Sequence, residues 1–241
     1  MNLDLNCDLG EGEPLSRTRA LMRWITSANV ACGGHAGDER SMAGCVRLAK
    51  LNGVRVGAHP GPWSRGDFGR DPVSLTPAEL KSLLQQQVGV LERIARYHGV
   101  RLHHIKLHGA LYHATESNDA LRRCYVRVIA QCWPLVRVFA LAGGKVAARA
   151  SAAGLRVWEE AFVDRAYRDD GTLVPRSESG AILRGVAQAR ERALRLVGRG
   201  EVLSTSGKPL LLDARTLCLH SDTPRATALA HAVAECLSLR R

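Results

Sequence analysis

The stretch LHHIKLHG (102–109) alternates polar and apolar side chains, and this alternation bears directly on the fold. Successive side chains of a β-strand point to opposite faces, so His104, Lys106 and His108 would share one face and the aliphatic residues between them the other. A solvent-exposed edge strand would show the same alternation. Helical patterns on both sides favour a strand whose apolar face packs against helices and whose polar face points into a barrel.

Similar short apolar runs recur along the chain, separated by helical patterns. The predicted strands are 3–7, 28–31, 54–58, 102–107, 136–141, 155–158 and 216–219, and the predicted helices are 38–52, 77–97, 118–132, 144–153, 180–197 and 225–238. Helix 77–97 has the clearest start, because Thr76 and Glu79 form a capping box around Pro77 at the first helical position. The alternation predicts one parallel α/β domain over residues 1–241, and about seven strand–helix units favour a closed barrel over a doubly wound sheet.

Polar residues cluster where the predicted strands end. In chain order they are Asn6, Asp8 and Glu11; Asn29, His35 and Asp38; His59; Lys106 and His108; Glu160, Asp164 and Arg165; and His220 and Asp222. Loops at the carboxyl ends of parallel strands converge and bind ligands, so these segments predict one shared site. A single buried histidine is more often structural than functional, and Asp164 with Arg165 could be a simple ion pair. The joint pattern nevertheless favours a functional site.

The motifs of several common enzyme classes are missing from the sequence, including GxxxxGK[ST], GxGxxG, GxSxG and HExxH. A metal held by His104 and His108 is disfavoured, since the ammonium of Lys106 lies between them on the same strand face. The side chains of Asp8, His35 and His59 are a better candidate for a divalent metal site. The same three residues could work without a metal as a general acid/base group.

The composition limits the classes of partner. The 34 Lys and Arg residues exceed the 23 Asp and Glu residues, giving a formal net charge of +11, which raises the question of nucleic acid. Aromatic residues make up only 5% and no nucleic-acid-binding motif is visible, so we predict a solvated basic surface instead. An acidic small substrate or an acidic protein partner would also suit this charge.

Cysteine usage and hydropathy predict a cytoplasmic protein. The seven cysteines are odd in number and contain no CxxC pair, so reduced thiols are expected rather than disulfides or a zinc ribbon. Asp4 and Asp8 occur where a signal peptide would be basic and then apolar. No apolar run is long enough to predict a membrane span.

Six blocks in the chain resemble the LamB/YcsF family, in the order in which the family has them. They are NCDLGEG (6–12), TSANVACGGHAGD (26–38), GAHPG (57–61) with DFGR (67–70), IKLHGALYH (105–113), EAFVDRAYRDDGTLVPRS (160–177) and LHSDTPRA (219–226). Trp63 and Ser64 depart from a Pro–Asp pair, Asp71 from an arginine after FGR, and Ser221 from the glycine of HGDTP. These departures lie in loops that could shape the substrate site.

The resemblance implies a seven-stranded (β/α) barrel of the glycoside hydrolase/deacetylase type. It also implies a hydrolase acting on a cyclic amide, which opens the lactam of 5-oxo-L-proline to L-glutamate with ATP hydrolysis. B and C subunits of a 5-oxoprolinase are the implied partners, and ATP is the implied cofactor. A divalent metal ion and a homo-oligomer are left open, and neither nucleic acid nor a membrane is expected as a partner.

With that activity, the expected catalytic residues are Asp8, His59, Lys106 and His108. Lys106 would stabilise a phosphate or oxyanion, and His59 or His108 would be the base for water. The expected substrate- or nucleotide-binding residues are Glu11, Asn29, His35, Asp38, Glu160, Asp164 and Arg165. Without a P-loop, ATP would bind at Lys106, Arg165 and the glycine-rich loop 33–37, or on a partner protein.

Two other functions suit the same residues. One is a metal-dependent amide or N-acetyl hydrolase of the carbohydrate-deacetylase barrel type. The other is a substrate-binding subunit that has no catalytic activity of its own.

Overall fold

Seven parallel strands close into a barrel in the computed structural model, which describes residues 3–239. The barrel strands are β1 (Asp4–Leu9), β2 (Ser27–Ala31), β3 (Arg55–His59), β4 (Leu102–Ile105), β5 (Arg137–Leu141), β6 (Val157–Phe162) and β9 (Thr216–His220). A two-stranded hairpin of β7 (Glu201–Leu203) and β8 (Pro209–Leu211) lies between β6 and β9 in the chain. Strands β1 to β6 are neighbours in chain order, and β9 closes the barrel by pairing with both β6 and β1.

This architecture confirms the predicted α/β barrel, and each of the seven predicted strands corresponds to one barrel strand. The predicted domain 1–241 includes residues 1–2 and 240–241, which lie outside the described residues. The sixth strand was predicted too early, at 155–158, whereas β6 is Val157–Phe162. The shift has a consequence for the site, because it places Glu160 within the strand and fully buried.

Eight helices surround the barrel within residues 3–239. They are α1 (Leu15–Met22), α2 (Glu39–Leu51), α3 (Pro77–Tyr97), α4 (Gly109–Ser117), α5 (Asp119–Cys132), α6 (Lys145–Ala152), α7 (Val186–Arg199) and α8 (Ala226–Cys236). Helix α3 has the predicted bounds because its capping box is formed: Thr76 Oγ1 accepts from the Glu79 amide at 3.2 Å, and Glu79 Oε2 accepts from the Thr76 amide at 2.7 Å.

Three elements were missed by the sequence analysis. Helices α1 and α4 are only eight and nine residues long, and neither has a side-chain hydrogen bond at its N-cap, so both lack the usual start signal. The hairpin β7–β8 has strands of three residues each, too short to show a period. The helix predicted at 180–197 begins only at Val186, because the preceding residues form bridges such as Arg165 to Ile182.

The barrel interior is polar, and its hydrogen-bonding groups pair with one another across strands. Asn6 Nδ2 donates to Glu160 Oε1 at 2.9 Å and to Thr216 Oγ1 at 2.7 Å. Asn29 Nδ2 donates to Asn6 Oδ1 at 2.7 Å and to Asp8 Oδ1 at 2.6 Å. Buried polar groups stabilise a fold only when they are paired in this way. The predicted inward polar face of β1 is therefore confirmed.

His104 occupies the middle of this interior as a packed, hydrogen-bonded side chain. Its Nε2 donates to Asn29 Oδ1 at 2.6 Å, and its ring stacks on Phe139 with centroids 3.9 Å apart. The ring fits only because Gly57 has no side chain, since a Cβ atom there would overlap the imidazole. Position 57 therefore requires glycine for reasons of space, independently of backbone conformation.

We predict that Gly57→Ala lowers the free energy of unfolding by about 1–3 kcal/mol or more, because the fixed His104 ring cannot move aside. Urea unfolding followed by circular dichroism measures the change. Gly89→Ala is the matched control, since Gly89 lies in α3 and a Cβ atom there would meet open space. It should stabilise the helix by up to about 1 kcal/mol. Equal stability of the Gly57 variant and the parent would contradict the steric explanation.

Candidate active site

A cavity of about 660 Å³ lies at the carboxyl ends of the barrel strands. Its lining includes Asp8, His59, Lys106, His108, Arg165 and His220. These side chains lie at or just beyond the ends of β1, β3, β4, β6 and β9, so the barrel brings together residues that are far apart in the sequence. The volume falls within the range of about 300–1,000 Å³ typical of small-molecule sites.

Lys106 contributes a buried positive charge to the floor of this cavity. Its ammonium lies 3.0 Å from Asp8 Oδ1, 3.1 Å from Glu160 Oε1 and 2.9 Å from Cys218 Sγ. Burial alone would lower the pKa of Lys106, but the Asp8 carboxylate and the other acidic neighbours outweigh it and hold the pKa well above its usual value. Lys106 is therefore an ammonium group at neutral pH.

Asp8 is held as a carboxylate from two sides. Burial opposes its charge, but His59 and Lys106 outweigh that effect and keep the pKa of Asp8 well below its usual value. The two oxygens have different neighbours: Oδ1 faces Lys106 and Asn29, whereas Oδ2 lies 3.2 Å from His59 Nε2. Asp8 thus links the lysine side of the site to the histidine side.

Three imidazoles gather around one oxygen of Glu11. Glu11 Oε1 lies 2.9 Å from His35 Nε2, 3.2 Å from His108 Nδ1 and 3.7 Å from His59 Nε2. The His59 and His108 rings also approach each other, with His108 Nδ1 at 3.1 Å from His59 Nε2. All three imidazoles are buried. The sequence had spread these residues over three strand ends, and the fold makes them neighbours.

The surroundings of the three imidazoles raise the pKa of His59 and lower the pKa values of His35 and His108. Burial opposes the charged form of His59, yet the Asp8 carboxylate outweighs it and the pKa of His59 is raised. Burial lowers the pKa of His108 despite its hydrogen bond to Glu11, and burial lowers the pKa of His35 to about 4. Groups with separated pKa values of this kind are typical of catalytic sites.

Asp164 anchors another imidazole and forms no ion pair with its neighbour Arg165 in the described part of the chain. Its carboxylate accepts from the His220 amide at 2.9 Å, from His220 Nδ1 at 3.0 Å and from Thr223 Oγ1 at 2.9 Å. These bonds fix the orientation of the His220 ring, whose Nε2 lies 3.7 Å from Asp8 Oδ2. The role open to Asp164 is therefore to position His220.

Arg165 is a buried cation whose hydrogen bonds are incomplete. Its Nη2 donates to Val174 O at 2.6 Å, while its Nε meets no hydrogen-bond partner within residues 3–239. Burial lowers the pKa of Arg165 to about 10, so the guanidinium remains charged at neutral pH. Arg176 lines the same cavity. An anionic group of a ligand would suit this wall.

The remaining predicted site residues take other places. Asn29 and Glu160 are fully buried and hold Asp8 and Lys106 from below. Asp38 is exposed and caps α2, where its carboxylate accepts from the Ser41 amide at 2.7 Å. This position does not fit the binding role predicted for Asp38, since its carboxylate is engaged in capping the helix. An N-cap aspartate near a strand end gives the same sequence signal as a ligand-binding residue, which explains the prediction.

Residues 33–37 of the glycine-rich loop, predicted to bind phosphate, do not line the cavity, although His35 stacks on His108, which does. Its carbonyls at Gly33 and Gly37 both accept from Arg65. Its one imidazole, His35, is turned toward Glu11. Through His35, the loop contacts Glu11 and His108.

Sequence analysis assigned no specific role to Cys218, His220 or Tyr112. For Cys218 and His220 the sequence did contain a signal, because Thr216, Cys218 and His220 are two residues apart on β9 and therefore share its inward face. Tyr112 lies on α4 and its hydroxyl donates to Glu160 Oε2 at 3.3 Å. It carries no comparable signal, because α4 itself was not predicted.

Two groups of side chains within residues 3–239 have ligand atoms close enough to hold a metal ion. One is Glu11, His35, His59 and His108, and the other is Asp8, Cys218 and His220. The set predicted from the sequence, Asp8 with His35 and His59, is therefore divided between two groups. Sequence order alone gave no means of seeing that His108 and Glu11 complete the first group.

Among the described residues, no helix combines the length and the apolar character that crossing a membrane requires.

The chain is similar to known proteins along nearly its whole length. The model of the LamB/YcsF family matches residues 3–240. A protein of Rhodopseudomonas palustris, named as the A subunit of 5-oxoprolinase, is 41% identical over 237 residues, covering 97% of this chain and 93% of that protein. A Pyrococcus furiosus protein of the same name is 42% identical over 232 residues, covering 95% of this chain and 91% of that protein.

A solved structure extends the similarity to three dimensions. The lactam utilization protein from Thermus thermophilus superimposes with a TM-score of 0.91 at 38% identity, covering 99% of this chain and 97% of that one. The span matched by the family model, residues 3–240, includes every strand of the barrel and every residue of the cavity described above. The chain belongs to the LamB/YcsF family.

Proposed function

We propose that this chain is the A subunit of a 5-oxoprolinase, which opens the lactam of 5-oxo-L-proline to L-glutamate with hydrolysis of ATP. The observation that carries the proposal is the similarity, over 95% and 97% of this chain, to two proteins named as the A subunit of that enzyme. Such a name denotes one component of a larger complex, and we propose B and C subunits as the partners.

The cavity suits a small anionic lactam. Arg165, with its unpartnered Nε within the described residues, and Arg176 line one wall and supply positive charge for the substrate carboxylate. Lys106 lies on the floor, where its ammonium can face the lactam oxygen or a phosphate bound to it. His59 and His108 line the same space and serve to activate water.

The proposed reaction proceeds in three steps. The lactam oxygen attacks the γ-phosphate of ATP, ADP leaves, and the ring carbon becomes an electrophilic, phosphorylated imidate. Water adds to that carbon with loss of its proton to the histidine side of the site. The C–N bond then breaks as the nitrogen takes up a proton, which leaves the γ-carboxyl group of glutamate as an acyl phosphate. A second water hydrolyses this acyl phosphate to glutamate and inorganic phosphate. Lys106 stabilises the negative charge that develops in the first two steps.

ATP would place its γ-phosphate beside Lys106, while Arg165 holds the substrate carboxylate, since the glycine-rich loop 33–37 does not line the cavity. The rest of the nucleotide would then extend toward the cavity mouth and a partner protein. We also propose a cytoplasmic location for the enzyme. The seven cysteines, all within the described residues 3–239, are free thiols, as a reducing compartment would keep them.

A second candidate function is a metal-dependent amide hydrolase, which the group of Glu11, His35, His59 and His108 favours. A third is a binding subunit without catalysis. One experiment separates the first function from the second: the purified chain is assayed on 5-oxoproline alone, with ATP, and with ATP plus B and C subunits from the same genome. Glutamate formed only with ATP and both partners supports the proposal. Hydrolysis without ATP would support the second function and exclude the first.

We predict that Lys106→Gln lowers ATP-dependent glutamate formation by the reconstituted enzyme at least about 100-fold, the usual cost of losing a donor that stabilises a developing anion. Lys81→Gln, at an exposed position on α3, is the matched control and should leave the rate unchanged. Circular dichroism and thermal unfolding check that the variant is folded. A folded Lys106 variant with the parent rate would exclude catalysis by this residue, and with it the role we give the cavity.

We predict that Arg165→Gln raises KM for 5-oxoproline about 10-fold or more and changes kcat less, because a carboxylate distant from the reacting bond is bound equally in ground and transition states. Steady-state kinetics of the reconstituted enzyme measures both constants. Arg168→Gln is the control, since Arg168 belongs to the same loop but is exposed and pairs with Glu178. An unchanged KM for the Arg165 variant would place the substrate carboxylate elsewhere.

A further inference from the structure

We propose that Glu11, His59 and His108 form a binding site for one divalent transition-metal ion, of which Zn²⁺ is the representative. The site would lie against the cavity wall and leave an open position toward the cavity. This inference concerns the metal content of the chain, and it stands whether or not the substrate is 5-oxoproline.

Hydrogen bonds to backbone carbonyls determine which ring nitrogens carry protons. His59 Nδ1 lies 2.8 Å from Lys106 O, and His108 Nε2 lies 2.8 Å from Phe68 O. A carbonyl oxygen only accepts, so each of these nitrogens must be the N–H of its ring. In the neutral rings the other nitrogens, His59 Nε2 and His108 Nδ1, therefore carry lone pairs.

Those two lone pairs meet each other and a carboxylate. The nitrogens are 3.1 Å apart, and Glu11 Oε1 lies 3.2 Å from His108 Nδ1 and 3.7 Å from His59 Nε2. Three acceptor atoms thus converge in a buried place, and Asp8 Oδ2 adds a further acceptor 3.2 Å from His59 Nε2. Unmatched buried acceptors are costly. A proton could bridge one pair of these atoms, whereas a cation at their centre would satisfy all three.

The spacing agrees with the size of a metal ion. Zn–N bonds of about 2.0–2.1 Å at tetrahedral angles place the ligand atoms about 3.3–3.4 Å apart. Two of the three separations, 3.1 and 3.2 Å, are close to this value, and the third, at 3.7 Å, requires a small inward movement of one side chain. Ligating histidines that donate their second N–H to a carbonyl are the usual arrangement around protein-bound metals.

His35 is close to this group but cannot be a ligand of the same ion together with His108. The two rings are stacked, with centroids 3.5 Å apart and planes within 3° of parallel. An imidazole binds a metal in its own plane, and one ion cannot lie in two parallel, displaced planes. We therefore assign His35 the role of orienting Glu11 through its 2.9 Å contact with Oε1.

The second group of possible metal ligands, formed by Asp8, Cys218 and His220, is already in contact with the ammonium of Lys106. Lys106 Nζ lies 3.0 Å from Asp8 Oδ1 and 2.9 Å from Cys218 Sγ. A metal ion among these atoms would be repelled by the adjacent ammonium. A single ion per chain is therefore expected, at the imidazole group. His59 and His108 line the cavity, so the position left open by the three ligands faces the substrate space.

The test is metal binding by the full chain without substrate, nucleotide or partners. Chelator-treated protein is titrated with Zn²⁺ by calorimetry and with Co²⁺ by visible absorption. We expect one equivalent of each ion to bind, and the Co²⁺ spectrum to show ligand-field bands without the thiolate-to-metal charge-transfer band that Cys218 would produce. Absence of saturable binding would overturn the proposal and leave a proton as the occupant of the group.

Variants locate the site. His108→Ala and Glu11→Gln should each weaken Zn²⁺ binding by at least about 100-fold, since losing a direct ligand should exceed the 10–100-fold cost of losing its supporting partner. His113→Ala is the matched control, because His113 lines the same cavity outside the group. Binding lost in His220→Ala but kept in His108→Ala would assign the ion to the other group and refute the proposed ligands. Because the wild-type titration needs no variant, a variant that failed to fold would not prevent the test.

Discussion

The buried ammonium of Lys106 is the constraint on which the rest of the site depends. Removing an ion from water costs several kcal/mol even after relaxation of the protein, and only close counter-charges and hydrogen bonds offset that cost. Asp8 and Glu160 supply the counter-charges at 3.0 and 3.1 Å. Both carboxylates are themselves held by interior amides, Asp8 by Asn29 and Glu160 by Asn6, so this part of the polar interior supports the charge of Lys106.

That support requires the barrel to close. Asn6 on β1 donates hydrogen bonds to Glu160 on β6 and to Thr216 on β9, the strand that closes the barrel. Asn29 on β2 donates to Asp8 on β1. A slip of one residue in any strand would turn its inward polar face outward and leave these groups unpaired. Strand register and the charge of Lys106 therefore stabilise each other, which explains why a barrel core here contains amides and carboxylates instead of aliphatic side chains.

Sequence alone predicted what depends on local period and on strand ends. The alternation around Lys106, the capping box of α3 and the convergence of strand ends led to the barrel and to six residues of the cavity lining: Asp8, His59, Lys106, His108, Arg165 and His220. The sequence alone did not show which of the residues at the strand ends contact one another. Asp8 lies near the carboxyl end of β1 and Asp38 follows β2, yet Asp8 faces Lys106 and Asp38 caps a helix. Likewise, the partnership of Glu11 with His108 joins residues far apart in the sequence and depends on three-dimensional neighbours that no spacing encodes.

Asp8 divides the cavity floor into two sides with different chemistry. Its Oδ1 faces the ammonium of Lys106, while its Oδ2 faces His59. On the lysine side, positive charge is fixed and a metal ion is excluded. On the histidine side, lone pairs converge and positive charge must be brought in, by a proton or by a cation. A ligand between the two sides would find a stable ammonium for its oxygen and an exchangeable acid or metal centre for water. Opening an amide requires both, since the electrophile must be stabilised as an anion while the nucleophile loses a proton.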